Sequence, residues 1–273
     1  MKAIQLITTL TLLLTATFSA ATQISLEKAS SRINSKYGFN WQSFSATAVV
    51  ENLAYAKNVQ LYFKDRTGEW ATADFAFDGI INHNLQRWSI SFQETLTSPY
   101  LSQEALDLEF VLRYEVAGQV YWDNNLGQNY HLPASSGEYI TAPVVKEYGY
   151  AHAPYTYTFS NGSADIAGKF RVTALVQNLG YEKQVEVHYS YDNWQTVHIG
   201  ALAYQYGKYE GYSWVTYPNA NNVEYWTFES QGEEAQAMAA EAVVFAIKYT
   251  VNGEVYWDNN HGENYQILVD KRD

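Results

Sequence analysis

The chain has 273 residues, a formal net charge of −12 and no cysteine. That length exceeds the usual single domain, and the acid excess is wrong for nucleic acid or an anionic lipid surface, both of which need clustered Lys and Arg. Without Cys there are no disulfide staples, no thiol catalysis and no thiolate metal sites, so each domain must rest on its apolar core.

Lys2, an apolar run from Ile4 to Phe18 and the small residues Ser19-Ala20-Ala21 predict a secretory signal peptide over residues 1–21, cut after Ala21. No later stretch is long enough to span a bilayer, so a secreted, extracellular protein without membrane insertion is expected. Residues 22–42 are polar and mixed, and Ser25–Asn34 reads as a short helix or a loose segment. From Phe44 the period becomes two: Phe44, Ala46, Ala48 and Val50, then after a turn at Asn52–Lys57, Val59, Leu61 and Phe63. Further strands are predicted at Trp88–Phe92, Leu108–Tyr114 and Gln119–Trp122, with Ala117-Gly118 as a tight hairpin turn.

The second half repeats this order. Phe170–Lys183 aligns without gaps on Phe44–Lys57, and Val185, Val187 and Tyr189 follow as Val59, Leu61 and Phe63 do. Glu224–Glu229 and Val243–Tyr249 match later strands, and Asn252-Gly253 is a strong hairpin signal. The closest repetition is QVYWDNNLGQNYHL at Gln119–Leu132 against EVYWDNNHGENYQI at Glu254–Ile267, identical at nine of fourteen positions. The offset grows from 126 to 135 residues, which places about nine extra residues in loops between 195 and 240. Gln231–Glu241 reads as a short surface helix there. The expectation is an all-β protein of two tandem antiparallel β-sandwiches, with a first domain at 22–133, a linker at 134–160 rich in Pro, Gly and Ser, and a second domain at 161–273. Asn161-Gly162-Ser163 is an N-glycosylation sequon at an exposed connection.

Catalytic signals are weak. Acids such as Asp65, Asp74, Asp78, Asp192 and Glu210 are scattered over loops, and the one carboxylate that recurs in both halves, Asp123 and Asp258, reads as a turn-former that accepts backbone N–H groups. The six histidines show no ligand spacing, and neither a G-x-S-x-G elbow nor a phosphate-cradling loop is present. No metal and no cofactor are expected. Binding fits better. Tyrosines number 24 and tryptophans 8, and an excess of Tyr over Phe places rings at wet surfaces. A flat ring covers the C–H face of a sugar, and an amide offers donor and acceptor to its hydroxyls. Trp122 with Asn124, Asn125 and Asn129 forms one such set, and Trp257 with Asn259, Asn260 and Asn264 the other.

The order N-L-x-[YF]-x-K-x-V, then Trp, then [YW]-W-D-N-N-x-G-x-N-Y, present over roughly 44–132 and 168–267, resembles the family 21 carbohydrate-binding module of fungal glucoamylases and phosphatase glycogen-targeting subunits. The resemblance implies immunoglobulin-like sandwiches that bind α-1,4-glucans without catalysis. It also implies two sites per module: Trp70 with Trp122 and Trp194 with Trp257 at one, Tyr55 with Lys57 and Tyr181 with Lys183 at the other. Tyr206 is a further loop aromatic. Two departures stand out: Val111 and Ala246 occupy positions where glucoamylase modules carry tyrosine, and Trp replaces the tyrosine that often precedes D-N-N. Such modules usually accompany a catalytic domain, and none is expected within these 273 residues. The alternatives are a host-interaction or cell-wall protein that binds another glycan, a cryptic polysaccharide-active enzyme, and a phosphatase-targeting subunit. The last needs an [RK]-V-x-F motif, and Arg171-Val-Thr-Ala lacks the Phe. Protein partners are unknown from sequence.

Overall fold

A computed structural model describes residues 23–210, 212–231 and 234–271, so the signal peptide expected over 1–21 lies outside the described residues. The first half holds β1 (Ile24–Lys36), β2 (Phe39–Glu51), β3 (Lys57–Lys64), β4 (Trp70–Asp74), β5 (Ala76–Ile80), β6 (Leu85–Ser98), β7 (Leu101–Ser102), β8 (Leu108–Val116), β9 (Gln119–Asp123), β10 (Tyr130–Leu132) and β11 (Gly137–Ile140). The second holds β12 (Val144–His152), β13 (Tyr155–Phe159), β14 (Gly162–Ile166), β15 (Lys169–Gln177), β16 (Lys183–Ser190), β17 (His198–Ala201), β18 (Ala203–Gln205), β19 (Gly207–Glu210), β20 (Ser213–Thr216), β21 (Val223–Glu229), α1 (Glu234–Ala239), β22 (Ala242–Val251), β23 (Glu254–Asp258) and β24 (Tyr265–Asp270).

Each half is a sandwich. In the first, β11-β1-β2-β6-β5 faces β10-β8-β3-β4, and in the second β12-β15-β21-β18 faces β17-β16-β22. There β24 pairs antiparallel with β22 and parallel with β12, joining the two sheets at one corner. The alternation read from sequence is the inward face: Phe44, Ala46, Ala48 and Val50 pack with Leu61, Phe110, Leu112 and Tyr114 in the first core. Phe170, Val172, Val187, Phe245, Ile247 and Tyr249 form the second. The equivalent buried tyrosines Tyr114 and Tyr249 each donate their hydroxyl to a main-chain carbonyl, of Glu51 at 2.6 Å and of Gln177 at 2.9 Å, which removes the penalty of burying that group. The predicted hairpins are present, with left-handed backbone at Ala117-Gly118 and Asn252-Gly253.

Three sequence expectations change. Ser25–Asn34 is neither helical nor loose: it is the middle of β1, a thirteen-residue strand. Its alternation is hidden by a bulge between Leu26 and Lys28 and by a second face that is covered by ions, with Arg32 on Glu138 and Glu210 and Lys28 on Glu147. A strand whose polar face is buried by partners loses the simple apolar/polar signature. The stretch 134–160, expected as linker, carries β11, β12 and β13. The first extends the sheet of the first sandwich through β1, and the second is the opening strand of the other sandwich, paired with β15. The extra residues of the second half build the β19–β20 hairpin. The helix expected over Gln231–Glu241 is present as the six residues of α1.

The sandwiches are packed against each other. Ile140 of β11 joins Val145, Leu175, Tyr217, Val223 and Tyr225 in a third apolar cluster between them. Beside it the buried Glu138 carboxylate takes Arg32, the Tyr217 hydroxyl at 2.6 Å and, at 3.4 Å, Lys208. Nearby, Glu27 of β1 accepts from Arg87 at 2.8 Å and lies 3.8 Å from His261 of the second half, while Arg87 also donates to Asn260 at 3.2 Å. Burial would raise the Glu27 carboxyl, but His261, Arg87 and Lys28 outweigh it and hold it at about 2. Because the folded value lies below the ordinary 4.5, this stabilisation, about 3 kcal/mol, is complete above pH 4.5 and fades as pH falls toward 2. The melting temperature of the wild type is therefore expected to fall more steeply between pH 4.5 and 2 than that of Glu27→Gln. Parallel curves in that window would remove the assignment.

Candidate functional site

The repeated block is first a structural device. Asp123 accepts the Leu26 N–H at 2.7 Å and the Tyr130 hydroxyl at 2.8 Å. Asp258 accepts the Lys146 N–H at 2.5 Å and the Tyr265 hydroxyl at 2.9 Å. Both N–H groups sit at bulges, between Leu26 and Lys28 in β1 and between Lys146 and Tyr148 in β12. A bulge strands a donor that the ladder cannot satisfy, and the Asp supplies the missing acceptor. Burial raises the Asp258 carboxyl, and burial together with that carboxylate pushes the Tyr265 hydroxyl far up, so the tyrosine stays a donor.

The asparagines expected to face a ligand are largely engaged inside the turns. Asn124 and Asn259 each accept a glycine N–H at 3.0 Å, from Gly127 and Gly262. Asn125 and Asn260 each donate at 3.0 Å to the carbonyl of the third asparagine, Asn129 and Asn264. Asn129 also donates to Glu109 at 2.7 Å, and Asn264 is left-handed with its N–H on the Asn259 carbonyl at 2.7 Å. Asn tolerates this left-handed backbone better than most residues, which explains the composition without a ligand.

The aromatic faces are different. In the first half Trp70 is 37 % exposed and Trp122 47 % exposed. The family resemblance pairs these two, and the structure inserts a third ring between them. Tyr62 stacks on Trp70 at 4.8 Å and 10°, and meets Trp122 edge-on at 5.6 Å and 65°. Tyr62 lies opposite both Thr72 of β4 and Val111 of β8 in the ladders. The ring lacking at Val111 is thus offered from the neighbouring strand. Lys64 lies 5.4 Å over Trp70 and Arg113 5.9 Å over Trp122, so cations brace the outer rings. Period-two reading alone could have flagged Tyr62, which alternates with the buried Leu61, but not its neighbours across the sheet.

In the second half Trp257 is 48 % exposed and meets His188 edge-on at 5.0 Å. His188 faces Ala246 across the ladder, as Tyr62 faces Val111. Desolvation lowers the His188 imidazole, favouring the neutral ring beside the indole. Trp194 does not take the place of Trp70. The β16–β17 ladder ends at Tyr189–His198, one step short of the position where Trp70 stands opposite Lys64 in the first half. Trp194 sits in the preceding loop with φ 70° and its N–H on Ser190 Oγ at 2.8 Å. The loop differs between the halves: Trp70 opens β4, whereas Trp194 lies outside any strand.

At the other expected sites Tyr55 and Tyr181 are almost wholly exposed at their turns. Their lysines are committed to protein: Lys57 donates to Asn52 and Gln86, and Lys183 to Asn178 and Glu224. The Lys183 side chain is only 7 % exposed. Tyr206 projects near the β19–β20 hairpin, where Tyr209, Tyr212 and Trp214 are also exposed. Asn161 lies at the exposed tip of the β13–β14 hairpin. Among the described residues no group of three His, Cys, Asp or Glu is placed to hold a metal, and no helix is long and apolar enough to cross a membrane.

The profile of the carbohydrate/starch-binding module (family 21) matches residues 21–133 and 157–268. The chain belongs to that family. It carries two family 21 modules, each one of the sandwiches above. It is similar to protein phosphatase 1 regulatory subunit 3C of Bos taurus, 30% identical over 96 residues that make up 35% of this chain and 27% of that protein. It is also similar to regulatory subunit 3B of Homo sapiens, 33% identical over 97 residues, 35% of this chain and 30% of that one. Glucoamylase 1 of Rhizopus oryzae is 33% identical over 98 residues, 35% of this chain and 14% of the glucoamylase. The matched part is under a third of each of these relatives. Among solved structures, the starch-binding domain of Rhizopus oryzae glucoamylase in complex with beta-cyclodextrin and maltoheptaose aligns with 25% identity and a TM-score of 0.31, covering 44% of this chain and 100% of that domain. The carbohydrate-binding module of the muscle glycogen-targeting subunit of protein phosphatase 1 aligns with 22% identity and a TM-score of 0.32, covering 48% and 79%.

Proposed function

We propose that this family 21 protein is secreted, non-catalytic, and binds α-1,4-glucan chains such as starch or glycogen on the exposed rings of its two modules. The observation that carries the reading is the Trp70–Tyr62–Trp122 cluster, two exposed indoles joined by a half-buried tyrosine on one sheet of a carbohydrate-binding module. Exposed indole is costly to leave in water and is suited to the C–H face of a sugar. Trp257 with His188 is the smaller counterpart, and Tyr55 and Tyr181 are second contacts. The buried or turn-bound Asn and Lys side chains act by shaping these surfaces. The signal-peptide reading of 1–21 supports secretion, and the Asn161 sequon at a hairpin tip is open to glycosylation in that route.

Two modules in one chain raise apparent affinity for a polymer by linking weak contacts, by roughly 10²–10⁴ where both reach the same chain. The purified protein is expected to partition onto insoluble starch and glycogen but not onto chitin or cellulose, and to release no new reducing ends from soluble starch. Retention on chitin alone would favour the cell-wall reading, and reducing-end release would refute the non-catalytic one.

A further inference from the structure

A cavity of about 740 Å³ lies between the two modules, and its walls come from both copies of the repeated block. Asn125 and Leu126 of the first module meet Trp257, Asn259 and His261 of the second, with Leu179 of the second N-L-x-Y-x-K turn beside them. Clefts of this size at domain junctions are typical of sites for small organic ligands. The cavity touches the half-exposed Trp257, so it continues the stacking face proposed for the second module.

Its chemistry selects a neutral polyol. The carboxylates on its border are already paired: Asp123 with the Leu26 N–H and Tyr130, Asp258 with the Lys146 N–H and Tyr265, Glu27 with Arg87. None is left to attract a cation, and among the described residues no Lys or Arg lines the cavity to attract an anion. Tyr139 and Asn259 line it, and among the described residues neither the Tyr139 hydroxyl nor the Asn259 amide nitrogen has a hydrogen-bond partner, which leaves both able to meet sugar hydroxyls. The backbone supplies a second signal. The tip residues Leu126 and His261 take φ of 56° and 58°, directly after left-handed Asn125 and Asn260. Left-handed backbone is unfavourable for a leucine, and such strain gathers at binding sites. Leu126 is moreover fully exposed, with no packing in its own module to explain it.

The geometry points to this inter-module cleft as a glucan-binding site that takes a maltooligosaccharide segment passing from the face of Trp257 between the two D-N-N turns. The inference rests on the glucan reading of the family 21 modules and adds a place that neither module forms alone.

The test uses the full chain and maltoheptaose. At saturating ligand, hydrogen–deuterium exchange of the segment 137–145, which carries Tyr139 and Ala142 of the wall, is expected to slow several-fold. Ala142→Trp, at an exposed wall position, places an indole in the cavity and is expected to weaken the maltoheptaose binding read by protection of 137–145 at least tenfold at unchanged melting temperature. Ligand protection confined to the strands of Trp70 and Trp122, with 137–145 unchanged, overturns the cleft while leaving glucan binding intact. No maltoheptaose binding by the wild type overturns both. If Ala142→Trp misfolds, exchange in the wild-type chain decides.

Discussion

Asp258→Ala is expected to cost the second module about 3 kcal/mol and to lower its melting temperature by about 10 °C. The variant removes the acceptor for the Lys146 N–H and the Tyr265 hydroxyl together. Each orphaned donor in a partly buried site costs about 1–3 kcal/mol, and a chain of this size loses about 2–4 °C per kcal/mol. Asp258→Asn should lose less, because the amide oxygen can still accept from Lys146 and burial already disfavours the charged carboxylate. Asp123→Ala should act in the same way on the first module through Leu26 and Tyr130. Calorimetry of the three variants reads the result directly. Equal melting of Asp258→Ala and wild type would mean that the recurrent Asp does not anchor the bulge. Because the modules have separate cores, the two alanine variants are expected to shift different parts of the unfolding profile.

The second large effect is on binding. Trp70→Ala with Trp122→Ala removes both outer rings of the first-module stack and leaves Tyr62 alone. A stacked ring is worth about 0.5–1.5 kcal/mol beyond its buried area, and each truncation also loses that area. The pair is therefore expected to weaken that surface about 100-fold and, by breaking the bivalent link, to lower retention on insoluble starch by 10-fold or more. The fold should hold, since both indoles are substantially exposed and neither belongs to the core. Starch partition of the double variant against wild type measures this. Unchanged partition with an intact melting curve would show that the stack is not a sugar surface.

The features legible in the sequence are those that repeat with the strand period or with turn chemistry. Phe44–Val50, Val59–Phe63, Leu108–Tyr114 and their counterparts 126 to 135 residues later alternate because one face is sealed and the other wet. Asn252-Gly253 marks its turn because Asn and Gly accept the left-handed backbone it needs at least cost. The D-N-N block was legible as a landmark, although its use was not. Its Asp reaches a bulge 97 residues away in one module and 112 in the other. β1 and β12 escaped notice for the related reason that their outer faces meet partners from distant sequence.

By itself the chain's order of residues determined two all-β modules, their internal strand pairs, a cysteine-free core and surface rings suited to sugars. Those depend on local propensity and on which side of a strand is greasy, and both are written in neighbouring letters. Only tertiary structure decided that Tyr62 bridges Trp70 and Trp122, that the β16–β17 ladder stops at Tyr189–His198 and leaves Trp194 in the loop, and that both repeated turns open onto one cleft. Those depend on ladder register and on how one sandwich docks on the other. Both are set by packing between residues far apart along the chain, where no short-range pattern carries the information.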